Sequence, residues 1–256
     1  MKPLMERTAV MGMQISRGSY AQFVDSIIES ARDKESAYVC VANVHMLGET
    51  HKSKSFAAVV NGARFITPDG KPLTWALRLL KGVRQERVAG MDLLPDLLKV
   101  AEARNIPVYF YGGLQETLDR TATYLEENFP RLSVAGLYSP PFRQLSSEEE
   151  ENAIRKINRS GARIVFVALG CPKQEKWMSS MQGRIHALMI GVGGALPVMV
   201  GTQKRAPGWM QKGGLEWVYR LLQEPRRLFS RYAVTNSLFL YLLSKAYLRQ
   251  VFLRKR

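Results

Sequence analysis

The sequence predicts an α/β fold: a parallel sheet with helices on both faces, followed by a helical, basic C-terminal appendage. Three observations lead there. Short β-branched or aromatic apolar runs alternate with helix-patterned stretches through most of the chain. Those runs are continuously apolar, as in strands covered on both faces. After Gly201 the strand pattern stops and the remainder reads as helix.

The elements follow in order. Helical periodicity covers Tyr20–Arg32, and the first apolar run is Tyr38–Ala42 (YVCVA). Arg64–Thr67 ends a second apolar stretch, before Pro68-Asp69-Gly70. A helix over Met91–Arg104 leads into the strand Pro107–Tyr111 (PVYFY), and a helix over Glu116–Asn128 into the strand Ser133–Gly136. Ser146 and the acids after it form an N-terminal capping sequence for a helix over Ser147–Ser160. The strand Ile164–Leu169 (IVFVAL), the helix Pro172–Met181 and the strand Ala187–Val192 complete the body. The expected division is residues 1–203 as catalytic body and 204–256 as appendage.

Charge divides the chain in the same place. Of a net +15 in 256 residues, +10 falls in the 53 residues from Lys204 onward. A basic tail implies a polyanionic partner, either nucleic acid or an acidic membrane surface. Pro225 can open a long helix. On a 100° wheel, Arg227, Arg231, Lys245, Arg249 and Arg256 fall within about 20° of one line, beside a wide face of Leu, Phe and Tyr. Such a helix suits a membrane interface, and its apolar runs are too short to span a bilayer. Nucleic-acid arms interleave basic residues with polar or stacking ones, which argues against nucleic acid as partner. Two cysteines cannot form a disulfide framework or a Cys-rich zinc site, three histidines argue against a His-rich metal site, and the chain fits a reducing compartment. The N-terminal stretch MKPLMERTAVMGM lacks the long apolar run of a signal peptide.

Ligands of open parallel sheets bind beyond the carboxyl ends of the strands. The segments at those ends are Asn43-Val44-His45, Pro68-Asp69-Gly70, Gly112-Gly113, Gly170-Cys171-Pro172-Lys173-Gln174-Glu175 and Gly193-Gly194. Glycines let a ligand approach the backbone, and helix N-termini offer free N–H groups to phosphate, so a nucleotide or nucleotide-sugar pocket is expected. Asp69 is placed either as a general base or as a helix N-cap. His45 is the rival base or a satisfied histidine of the fold. Arg87 binds phosphate or pairs on the surface. Lys173 and Gln174 can reach a ligand from their first helical turn, while Glu175 supports that turn. Cys171 stands at a helix start, which can lower a thiol pKa, but no base partner follows and a structural role is preferred. Gly191-Val192-Gly193-Gly194 is not GxGxxG, and no GxxxxGK[ST] loop is present, so the dinucleotide and phosphate-loop patterns fail.

Taken together these segments resemble the WecG/TagA/CpsF glycosyltransferases, glycosyltransferase family 26. The matching stretches are Thr67-Pro68-Asp69-Gly70, Glu86-Arg87-Val88-Ala89-Gly90-Met91-Asp92 and Leu169-Gly170-Cys171-Pro172-Lys173-Gln174-Glu175. The match continues through Gly191-Val192-Gly193-Gly194, Lys204-Arg205-Ala206-Pro207, Gly214 to Arg220, Glu224-Pro225-Arg226-Arg227 and Arg231-Tyr232. The resemblance implies a Rossmann-like body and an inverting transferase needing no metal and no cofactor. It would move a sugar from a UDP-sugar to a polyprenyl-diphosphate-linked acceptor at the cytoplasmic face of the bacterial cell membrane, as a peripheral protein. The resemblance makes Asp69 the catalytic base. It assigns Arg87 and Gln174 to substrate binding, and Arg220, Arg227 and Arg231 to diphosphate. Asn43, His45, Gly112, Gly113, Lys173, Gly193, Gly194 and Arg205 complete the expected substrate-binding set. An anionic membrane surface is an expected partner, nucleic acid is not, and a homo-oligomer is compatible. Two positions depart from the family pattern: Val41 stands where many members have Thr, and Pro197 where the glycine loop usually has Asp. The alternatives to a transferase are a nicotinamide-dependent oxidoreductase with a worn fingerprint and a non-enzymatic nucleic-acid-binding protein using the basic tail.

Overall fold

A computed structural model describes residues 5–254. The chain opens on a hairpin, β1 (Arg7–Val10) and β2 (Met13–Ser16), which the sequence reading did not include. Its two-residue turn puts Met11 at φ 49° and Gly12 at φ 91°, the positive pair that matches strand twist. Met is an unusual residue there, so the turn has only half of its usual signature. Arg7 fastens the hairpin to the body by donating to the carbonyls of Asn61, Ala63 and Arg64.

Next come α1 (Tyr20–Arg32), β3 (Ala37–Ala42), α2 (Val44–Lys52), α3 (Lys54–Asn61), β4 (Phe65–Pro68), α4 (Lys71–Lys81) and α5 (Gly90–Ala103). Then follow β5 (Val108–Gly112), α6 (Gln115–Asn128), β6 (Val134–Tyr138), α7 (Ser147–Arg159), β7 (Ile164–Ala168), α8 (Lys173–Met181), β8 (Leu188–Gly191) and α9 (Ala195–Met199). The chain closes with α10 (Gly208–Gly213), α11 (Glu216–Gln223) and α12 (Pro225–Arg254). The expected strands all form, within two residues at each end. Ser146 caps α7 with the full reciprocal pattern, its hydroxyl accepting from Glu149 N and its own N–H donating to the Glu149 carboxylate.

Six parallel strands form one sheet in the order β4-β3-β8-β7-β5-β6. Successive side chains of a strand point to opposite faces. Tyr38, Cys40, Val165, Val167 and Met189 accordingly enter one core, and Val39, Val41, Phe166 and Ile190 the other. Both faces are covered, so the architecture is Rossmann-like α/β.

The last helix, α12, packs against α2, α4 and α11. Leu228, Thr235, Phe239 and Leu242 are its buried side chains. Part of the apolar face that the wheel assigned to a membrane is therefore spent on the protein itself. Phe229, Leu240, Tyr241, Tyr247, Leu248 and Phe252 remain exposed. The basic line divides as well: Arg227 and Arg231 turn into a cavity, Lys245 lies over the Tyr241 ring, and Arg249 is exposed. Arg256 lies outside the described residues.

Candidate active site

A cavity of about 420 Å³ opens at the carboxyl ends of β3, β4, β7 and β8. Asn43 and His45 reach it from the β3–α2 junction, and Asp69 from the end of β4. The β7–α8 turn contributes Cys171, Lys173 and Gln174, and the loop after β8 contributes Gly193, Gly194 and Pro197. The opposite wall comes from the C-terminal helices: Arg220 on α11, and Arg227, Arg231 and Tyr232 on α12. Trp217 meets Tyr232 edge-on at 5.7 Å, holding these two helices together.

Among the described residues, Asp69 is the one acid on the lining. Its backbone N–H donates to Ala42 O at 2.7 Å, which ties the end of β4 to β3. The N-cap alternative is settled by the next residue: Gly70 caps α4, at φ 115° and with no side-chain bond. Asp69 is left to face the cavity. Burial pushes its pKa up to about 7; Glu216 and Asp92 also raise it, while Arg87 and Arg220 oppose them. A carboxyl poised there can accept a proton at neutral pH.

Arg87 and Arg205 do not line the cavity. Arg87 donates to Asp92 at 2.9 Å and to Glu216 through its other terminal nitrogen. Arg205 donates to the second oxygen of Asp92. Asp92 belongs to α5 and Glu216 to α11, so this cluster clips the C-terminal helices onto the sheet beside Asp69. The sequence carries one local signal for it: Arg87 and Asp92 are five residues apart, in the stretch Glu86 to Asp92. Glu216→Gln removes a partly buried charge-assisted bond and should cost about 1–3 kcal/mol of stability. It also removes a negative charge near Asp69, so the pH–rate midpoint should move down. An unchanged midpoint would show that Glu216 has no electrostatic hold on the acid.

Gln174 is buried and its amide is committed. Its Oε1 accepts from Gly170 N at 3.1 Å, and its Nε2 donates to Glu175 at 2.8 Å. A Cβ on Gly191 would stand 2.8 Å from that Nε2, so glycine there lets the β8 loop close onto the β7 turn. Glu175 is fully buried and supports the turn as expected. Cys171 does not have the lowered pKa that a helix start can give: burial, and then Glu175, push its thiol up. The Cys171–Pro172 peptide is cis. Burial, and then Arg231, lower the pKa of His45, and its Nδ1 is enclosed with no partner among the described residues.

Gly112 and Gly113 fall outside the cavity, because β7 lies between β5 and β8. A Cβ on Gly112 would be 3.0 Å from the Ala168 backbone, so that glycine serves close strand packing. Gly113 lines a neighbouring cavity of about 490 Å³ beside Tyr111, which stacks on Trp177 at 4.1 Å. Among the described residues no group of three His, Cys, Asp or Glu side chains could hold a metal ion.

The WecG/TagA/CpsF glycosyl transferase family model matches residues 8–252. The chain belongs to this family. Among its relatives is the N-acetylglucosaminyldiphosphoundecaprenol N-acetyl-beta-D-mannosaminyltransferase of Bacillus subtilis strain 168, 29% identical over 90% of this chain and 91% of that one. The enzyme of the same name from Staphylococcus aureus strain MW2 is 25% identical over 93% of this chain and 92% of its own.

Proposed function

We propose that this family member is an inverting, metal-independent transferase. It moves an N-acetylmannosamine-type or glucose-type sugar from a UDP-sugar to a polyprenyl-diphosphate-linked acceptor sugar, for bacterial cell-surface polysaccharide or teichoic acid. The observation that carries the reading is that Asp69 shares one cavity with Lys173, and with Arg220, Arg227 and Arg231 of the opposite wall. Asp69 removes the proton of an acceptor hydroxyl as that oxygen attacks the anomeric carbon. The bond to the diphosphate breaks on the opposite side, and its electron pair leaves with UDP. Arginine and lysine offset the charge that develops there, the part a metal plays in other transferases. His45 and the backbone of Gly193 and Gly194 orient the donor, and Arg87 and Gln174 hold the walls. The names of the two relatives support the lipid-diphosphate acceptor and the mannosamine-type donor.

A polyprenyl acceptor stays in its bilayer, so the enzyme must come to it. No helix among the described residues is long and apolar enough to cross a membrane. The exposed aromatic and aliphatic side chains of α12 support peripheral attachment to a membrane, and the proposal puts it at the cytoplasmic face. The decisive experiment offers UDP-N-acetylmannosamine, UDP-N-acetylglucosamine and UDP-glucose with a synthetic lipid-diphosphate N-acetylglucosamine, in EDTA. Transfer of one sugar with a β linkage is expected. A strict requirement for added magnesium, or an α product, would overturn the corresponding part.

A further inference from the structure

Helix α4 is amphipathic in a way that the fold alone does not use. Leu73, Ala76, Leu77 and Leu80 are buried against the body. On the outward side, Trp75 is 54% exposed and Leu79 is 50% exposed, one helical turn apart. Arg78, Lys81 and Arg84 are exposed around them, and residues 71–84 contain no acid. An indole and a leucine set among cations are the composition of a helix lying in an anionic bilayer surface. The ridge also continues into the C-terminal helices. Gly214, between α10 and α11, packs where a Cβ would be 3.2 Å from the Trp75 ring and 3.0 Å from Lys71 Cβ. Leu215, the next residue, is exposed, and α12 lies alongside α4.

We propose that α4 is a second membrane-contact element, seated in the headgroup region of an anionic bilayer through Trp75 and Leu79. Charge complementarity selects the lipid surface: a cation-rimmed apolar ridge without acids matches anionic headgroups. The proposal rests on the peripheral reading above and deepens it.

The test uses the full chain with a bimane probe on Leu79→Cys, and vesicles of phosphatidylglycerol and phosphatidylcholine containing nitroxide-labelled lipid. Probe quenching is expected at position 79 and not on Glu126→Cys, an exposed site on α6. The double variant Trp75→Ser/Leu79→Ser should bind these vesicles about tenfold more weakly and lose turnover on long-chain acceptor. Its rate on a short, water-soluble acceptor should stay unchanged. If wild type sediments with vesicles but the probe at 79 is unquenched, α4 is not a contact element, and the peripheral reading survives. A double variant that alters self-association but not vesicle binding would assign the ridge to a protein contact and overturn the proposal. Wild type that fails to bind any vesicle would overturn both readings.

Discussion

Replacing Asp69 by asparagine should lower turnover about a thousandfold or more, the upper part of the range for a general base. The change keeps shape and removes the proton acceptor, so donor binding and folding should persist. Wild-type kcat/KM should rise with pH through about 7, the free-enzyme pKa of Asp69, and level off above it. Stability supplies an independent check. The Asp69 pKa is raised on folding from 3.8 to about 7, so the native state binds the proton more tightly than the unfolded chain. Its contribution to stability is complete below the unfolded value and is lost as pH rises to about 7. Thermal unfolding of Asp69→Asn should therefore depend less on pH between about 4 and 7. A variant with near-normal turnover would remove Asp69 from the reaction.

Arg231→Ala should reduce kcat/KM about 10²- to 10³-fold, the usual loss when one donor to developing negative charge is removed. Its side chain lines the cavity, and no ion pair found among the described residues involves it. Melting temperature should be unaffected. Lysine at 231 should restore part of the activity, because it supplies charge without the two-pronged contact. Arg227 is the informative contrast: it pairs with Glu224, and its removal also loosens the start of α12. An Arg231→Ala enzyme within threefold of wild type would put the leaving group elsewhere.

Much of this was legible in the sequence because it depends on near neighbours along the chain. Ser19 caps α1 and Ser146 caps α7, each with the reciprocal residue three positions on, and both helices begin where expected. Asn43 reads as a strand end and is also the N-cap of α2, a helix that the sequence reading did not mark. Convergence at the sheet edge followed from strand ends alone for Asn43, Asp69, Lys173 and Gly193. It failed for Gly112 and Gly113, because strand order is a property of the folded sheet. The pairings of Arg87 with Glu216 and of Arg205 with Asp92 are hidden for a similar reason: the partners are 129 and 113 residues apart. A helical wheel shows which residues share a line, not which neighbour takes that line. In α12 the same stripe serves first a cavity and then solvent.

The placement of the cavity arginines bears on when the protein becomes active. Asp69 lies in the first third of the chain, the glycine turns after β7 and β8 come much later, and Arg220, Arg227 and Arg231 come with the last helices. Domains fold as units, and this sheet cannot close until β8, which lies between β3 and β7, has been made. On the proposed mechanism, a chain clipped before α11 would keep the Asp69 carboxyl and lack the cations assigned to the leaving group. Such a chain would leave an activated sugar intact, and transfer would begin only once the final helix had docked.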